Sequence, residues 1–161
     1  MDAIAYHSLM EYNREMKRLD DVYRSAAKRC GLSGCAFWIF YTLRVESRPF
    51  TQAEICDFLI EPKQTVNSAL KKLVAEGYLT LSAGEDQRRK YIHLTPRGEQ
   101  FAAEQIDRVA EAEAGALRRM CPEDRAAFVR LTGLYRRLLE AQLNSEPEGE
   151  SARGCGANAM I

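Results

Sequence analysis

Four element signals follow one another between Thr51 and Gly98, and they leave this stretch few ways to fold. Thr51-Gln52-Ala53-Glu54 is a capping box: the threonine hydroxyl can accept from the backbone of Glu54 while the glutamate reaches back to the Thr51 amide. It opens a short helix with Ile55, Phe58 and Leu59 as its inner positions. Pro62 stands where a second helix starts and Gly77 where it stops. Tyr78-Leu79-Thr80-Leu81 then reads as a strand, 82–86 as a turn, and 89–94 as the returning strand. Two short helices joined by a short turn and followed by a hairpin predict a winged helix-turn-helix over residues 48–95.

Long amphipathic helices flank this unit. Ala5, Leu9, Tyr12, Met16, Leu19, Tyr23, Ala26 and Cys30 recur at alternating steps of four and three, the seam of a helix packed along another. Gly31 ends that helix, and Ser33 caps a second one whose body, Phe37 to Leu43, is apolar nearly all round and belongs in the middle of the fold. Thr95-Pro96 begins a third helical stretch, with Ala102, Ile106, Val109 and Leu117 as its apolar positions. Pro122, followed by Glu123 and Asp124, starts a last helix carrying Phe128, Leu131, Leu134, Tyr135, Leu138 and Leu139. The expected fold class is mainly α with a small β-hairpin. Residues 1–47 and 96–143 form a helical dimerisation region, because they carry more apolar surface than a winged helix can cover. Residues 144–161 turn to Asn, Ser, Glu, Gly and Ala and read as a disordered tail.

Charge locates the surface that matters. The net charge of the 161-residue chain is zero, which argues against a polybasic protein that holds nucleic acid by bulk charge. By segment it is uneven: residues 62–98 hold seven cations against three anions, and residues 99–161 hold eight against eleven. Within the basic segment, helical phase puts Val66, Leu70, Leu73 and Val74 on one stripe. Gln64, Ser68 and Lys71 fall opposite, flanked by Lys63, Thr65, Asn67 and Lys72. Amides can bond adenine in two places, a threonine can touch a thymine methyl, and lysines can hold phosphate. Arg88, Arg89 and Lys90 lie just beyond a glycine-containing tip, which suits a wing entering a minor groove, and Asp86 can orient Arg88.

The remaining chemistry is sparse. His7 and His93 have no partner at catalytic spacing, so no enzyme, metal or cofactor is expected. The five cysteines show no CxxC spacing, and with no signal peptide and no apolar run of membrane length they predict a reduced, cytoplasmic protein. Cys56 and Cys121 read as structural, Cys121 standing where an N-cap serine would be expected.

Asp86-Gln-Arg88-Arg-Lys-Tyr-Ile92-His-Leu94-Thr95-Pro-Arg-Gly98 fits the pattern D-x-R-x-x-x-[IV]-x-L-T-x-x-G, and with it the chain resembles the multiple antibiotic resistance regulator (MarR) family over roughly residues 5 to 143. Thr51-Gln-Ala-Glu54, Gln64-Thr-Val-Asn67, Leu73 and Gly77-Tyr-Leu79 also sit where that family's helices put such residues. The resemblance implies a homodimeric transcriptional regulator, read here as a repressor on an inverted repeat in double-stranded DNA, with Arg88 as the wing arginine and Asp86 its support. Leu81 departs from the pattern, standing where many members carry an arginine. The resemblance also implies a small, often aromatic or phenolic, effector, for which Trp38 and Tyr41 are the candidate lining. Some members sense oxidants through cysteine, and Cys30 and Cys35, at the break between the first two helices, are the candidates for that version. Neutral net charge and Leu81 leave a further alternative, a winged helix that docks a protein and does not bind DNA.

Overall fold

A computed structural model describes residues 3–83 and 90–145. The chain packs as two units, Met1–Ala114 and Gly115–Ile161. In the first, α1 (Ala3–Arg29) is followed by α2 (Gly34–Val45), with Gly31 between them in the left-handed region at φ 70°. Ser33 Oγ accepts from the Ala36 amide at 3.3 Å and caps α2 as expected. Phe37, Ile39, Phe40 and Leu43 of α2 are buried at the centre of the core. Each such side chain contributes roughly 1.5–3 kcal/mol by leaving water.

The winged helix comprises β1 (Phe50–Thr51), α3 (Gln52–Leu59), α4 (Lys63–Ala75), β2 (Leu79–Ala83) and β3 (Lys90–Leu94). The capping box forms: Glu54 N–H donates to Thr51 Oγ1 at 3.2 Å and Thr51 N–H to Glu54 Oε2 at 2.7 Å. Donation from the Thr51 amide, and from its hydroxyl at 2.8 Å, to Glu54 Oε2 holds the Glu54 carboxyl below its usual range. The sheet is antiparallel in the order β1-β3-β2. β1 was not expected; a two-residue strand has no alternation to read, and it exists because Phe50 is buried opposite Ile92. The hairpin is longer than its sequence signal. Ser82 and Ala83, expected in the turn, are strand residues paired with Tyr91 and Lys90.

Two inner positions need correction. Phe58 is 54% exposed and Val74 37%. On this eight-residue helix Ile55 and Leu59 form the inward row, and Phe58 stands beside it, tilted against the Phe50 ring with centroids 6.0 Å apart. On α4, Val66, Leu70 and Leu73 complete the buried stripe, and Val74 falls at its margin.

After the sheet, α5 (Pro96–Phe101) continues through a π-helical turn (Ala102–Ile106) into α6 (Asp107–Arg119). Sequence periodicity gave no sign of this turn. Arg44, at the end of α2, grips both sides of it: its Nε and one terminal nitrogen donate to Asp107 at 2.8 and 2.7 Å, and the other donates to Glu99 of α5 at 2.8 Å. The Arg44 fork holds the Asp107 carboxyl below its usual range. A depressed carboxylate stabilises the fold above its unfolded pKa and loses that contribution as pH falls through the folded one. Arg44→Ala is therefore expected to cost about 1 kcal/mol at neutral pH, because the pair is one-third exposed, and to flatten the loss of stability below about pH 4. Urea melts of both chains at pH 7 and pH 3 check this; parallel acid sensitivity would refute it.

The second unit holds the end of α6 and α7 (Pro122–Asn144). Cys121 serves as N-cap: its Sγ accepts from the Asp124 amide at 3.3 Å. None of the residues of α7 is buried. The expected disordered tail falls, from residue 146 on, outside the described residues.

Candidate nucleic-acid interface

The polar face read from the helical phase of α4 is outward in the structure. Lys63, Gln64, Thr65, Ser68, Lys71 and Lys72 are exposed, and Asn67 is half-buried. Ser68 Oγ donates to the Gln64 carbonyl at 2.9 Å, and Lys72 lies 3.8 Å from Glu76, a loose surface pair that leaves its ammonium accessible.

Tertiary structure adds two hollows beside this helix. One of about 290 Å³ lies between α4 and the sheet, where Asn67 and Lys71 meet Lys90 of β3. Leu81 and Val74 line the same hollow, so the residue that replaces the usual arginine is part of an apolar floor between reading helix and wing. The other, of about 800 Å³, runs from Lys63 to Lys90 past Thr51 and Gln52 at the start of α3. Gln52 borders both, and sequence reasoning missed it as a site residue; its place directly after the capping threonine was the available signal. Asp86, Arg88 and Arg89 lie outside the described residues, in the segment that joins Ala83 to Lys90.

The base of the wing is tied to the core through the second half of the sequence motif. Thr95 Oγ1 donates to the Gly77 carbonyl at 2.7 Å and accepts from the Gly98 amide at 3.1 Å, capping α5. Thr95 N–H donates to the Tyr78 carbonyl at 3.0 Å. Gly98 is buried against that carbonyl, and Tyr78 in turn packs on Phe40 and Phe101 with centroids 5.6 and 5.0 Å away. Leu-Thr-x-x-Gly is thus a structural device that fixes β3 and the end of α4 to α5.

A second candidate site lies on the other side of α2. Trp38 and Tyr41 meet with ring centroids 5.3 Å apart, and Tyr23 of α1 joins Trp38 at 4.9 Å. The Tyr23 and Tyr41 hydroxyls both donate to the carboxylate of Glu113 on α6. Burial, followed by the bond to Glu113, pushes the Tyr23 phenol up to about 12 and the Tyr41 phenol higher still. Glu113 was not among the expected site residues, and Tyr23 was read only as part of the α1 seam. For Cys30 and Cys35, burial raises the thiol pKa; Arg29 opposes this at Cys30, while Glu61 and Cys56 add to it at Cys35. Among the described residues no group of His, Cys, Asp and Glu could hold a metal ion, and no helix is long and apolar enough to cross a membrane.

A family model described as a winged helix DNA-binding domain matches residues 32–98. An uncharacterized HTH-type transcriptional regulator, YwoH, of Bacillus subtilis (strain 168) is 26% identical over 135 residues, covering 84% of this chain and 98% of the relative. Among solved structures, a MarR family regulator from Neisseria meningitidis is similar at TM-score 0.70 and 23% identity, over 86% of this chain and 99% of the other. The S. aureus MepR–DNA complex is similar at TM-score 0.64 and 16% identity, over 79% and 93%.

Fold and matched domain together define residues 32–98 as a winged helix DNA-binding domain. The chain's arrangement, with helices before and after the winged helix, is similar to that of the MarR family regulator from Neisseria meningitidis, the fold expected from the wing motif.

Proposed function

We propose that the chain acts as a homodimeric repressor on an inverted-repeat operator and lets go when a small aromatic effector binds. The observation that carries this reading is the meeting of Asn67 and Lys71 of α4 with Lys90 of β3 around one hollow, which joins a base-reading face to the stem of the wing. Gln64 and Asn67 match the adenine edge, Thr65 a thymine methyl, and Lys63, Ser68, Lys71 and Lys72 the flanking phosphates. Arg88 and Arg89 are the residues assigned to the minor groove, with Asp86 assigned to support Arg88, and Lys90 belongs to the same surface. Likeness to MepR, solved as a DNA complex, supports DNA as the partner.

Dimerisation is supported by α7, which buries nothing within its own chain while Phe128, Leu131 and Leu138 are at least half exposed. Leu9, Met16 and Leu19 add a second exposed stripe on α1. A two-fold dimer would read half-sites whose centres lie about 10 bp apart. The effector seat is the cluster around Trp38 and Tyr41. The raised thiols of Cys30 and Cys35 favour small-molecule control over oxidation, which needs thiolate.

The test is fluorescence anisotropy against DNA flanking the chain's own coding region, over a range of salt. Arg88→Ala should weaken specific binding at least tenfold, by about 1.4 kcal/mol. Lys71→Ala should reduce the salt slope by about one. Binding that ignores salt and both substitutions would point instead to a protein-docking winged helix.

A further inference from the structure

We propose that the aromatic cluster on α2 is a seat for an organic cation, held by the Glu113 carboxylate, and that this is the chemical class of the effector; the second half rests on the effector-controlled reading above.

The cluster is built from three helices of one unit. Tyr23 comes from α1, Trp38 and Tyr41 from α2 and Glu113 from α6, and all four are half-buried. Tyr23 donates to one carboxylate oxygen of Glu113 and Tyr41 to the other. Both donors keep their protons well above neutral pH, so they bond the carboxylate without neutralising it. Among the described residues no lysine, arginine or histidine lies within salt-bridge distance of Glu113. The other partly buried carboxylate on this helix, Asp107, has its arginine. Glu113 is thus a half-buried carboxylate with no basic partner among the described residues, held by the hydroxyls of two rings that pack on Trp38.

Two terms then act in the same direction. A cation placed here meets the carboxylate directly and the aromatic faces through their quadrupoles, an attraction that grows as water is excluded. A phenolate or carboxylate meets like charge and finds no cationic partner, so the same site rejects it. The phenolic effectors implied by family resemblance are therefore the wrong charge class for this chain when ionised.

Trp38 is the chain's single tryptophan, so its fluorescence reports occupancy of this site alone. The full-length chain is titrated with tetraphenylphosphonium and, separately, with salicylate, followed by Trp38 fluorescence and by calorimetry. Tetraphenylphosphonium should perturb Trp38 saturably and salicylate should not. Glu113→Gln, whose amide oxygen can accept from one phenol while its NH2 donates to the other, should weaken the cation about tenfold. Salicylate binding with the cation silent in the unsubstituted chain would overturn the proposal without recourse to any variant. So would a folded Glu113→Gln chain that binds the cation as tightly as before. Operator binding, measured in the same solutions, separates the two readings. A cation that perturbs Trp38 but leaves the DNA complex intact upholds the seat and overturns the effector role. Release of DNA by salicylate upholds the regulator and overturns the cation.

Discussion

Gly98→Ala is expected to destabilise the fold by about 3–5 kcal/mol, one of the largest effects a single methyl group can have. A Cβ at this position would stand 2.1 Å from the Tyr78 carbonyl oxygen, 3.1 Å from its carbon and 3.2 Å from Leu94 Cδ2. The nearest obstacle is backbone, not the end of a flexible side chain, so relief requires α5 to move away from the end of α4. That motion breaks the Thr95 contacts to Gly77 and Tyr78 and loosens the Phe40–Tyr78–Phe101 stack. For a chain of this length the melting temperature should fall by roughly 10 °C or more. Gly115→Ala is the matched control. A Cβ there meets only the Arg118 guanidinium at 3.7 Å, and alanine is the better helix former by about 0.5–1 kcal/mol, so this variant should melt higher than the parent. Thermal melts at one protein concentration decide the matter, and equal midpoints for Gly98→Ala and the parent would remove the explanation given for the motif.

Leu138→Glu is expected to turn a dimer into a monomer and to lower operator affinity by orders of magnitude. Leu138 is 57% exposed on a helix of 23 residues that buries none of them, although Phe128, Leu131 and Leu134 extend the same face. In proteins most helical stability comes from packing an apolar face and little from intrinsic propensity, so the exposed apolar face of this helix calls for a cover. A carboxylate in the middle of a two-fold interface is counted twice and has nothing to pair with, which costs more than the lost leucine contact. Loss of the dimer also separates the two half-site contacts, and the gain from linking them disappears. Arg136→Gln, on the opposite side of the helix where Arg136 pairs with Glu140 at 2.7 Å, should change little, because exposed pairs contribute less than about 1 kcal/mol. Sedimentation velocity and anisotropy on the three chains give the answer. A Leu138→Glu chain that sediments and binds DNA like its parent would rule out α7 as the interface.

Much of the fold was legible because helix caps are local. Ser33, Thr51 with Glu54, Thr95 and Cys121 each accept from an amide three residues on, so their residue types at those spacings were enough. The outward face of α4 was legible for the same reason, since the period of a helix fixes which residues turn away from the core. The errors fall where a third partner decides. Phe58 and Val74 fit the inward pattern but found their inner row already filled by Ile55, Leu59, Val66, Leu70 and Leu73. β1 and the π-helical turn have no periodic signal, one being too short and the other being a departure from period.

The sequence by itself determined the order of elements, the capping of the helices, the polar face of α4 and the motif that carries the family resemblance. These depend on neighbours within four or five residues or on a simple period. Tertiary structure alone decided why that motif ends in glycine, since the carbonyl it must accommodate belongs to Tyr78, on the far side of the hairpin. It alone brought Glu113 to Tyr23 and Tyr41, residues 90 and 72 positions away in the chain. No local rule reaches across such distances. Which charge an aromatic cluster will accept is set by whichever distant helix happens to pack beside it.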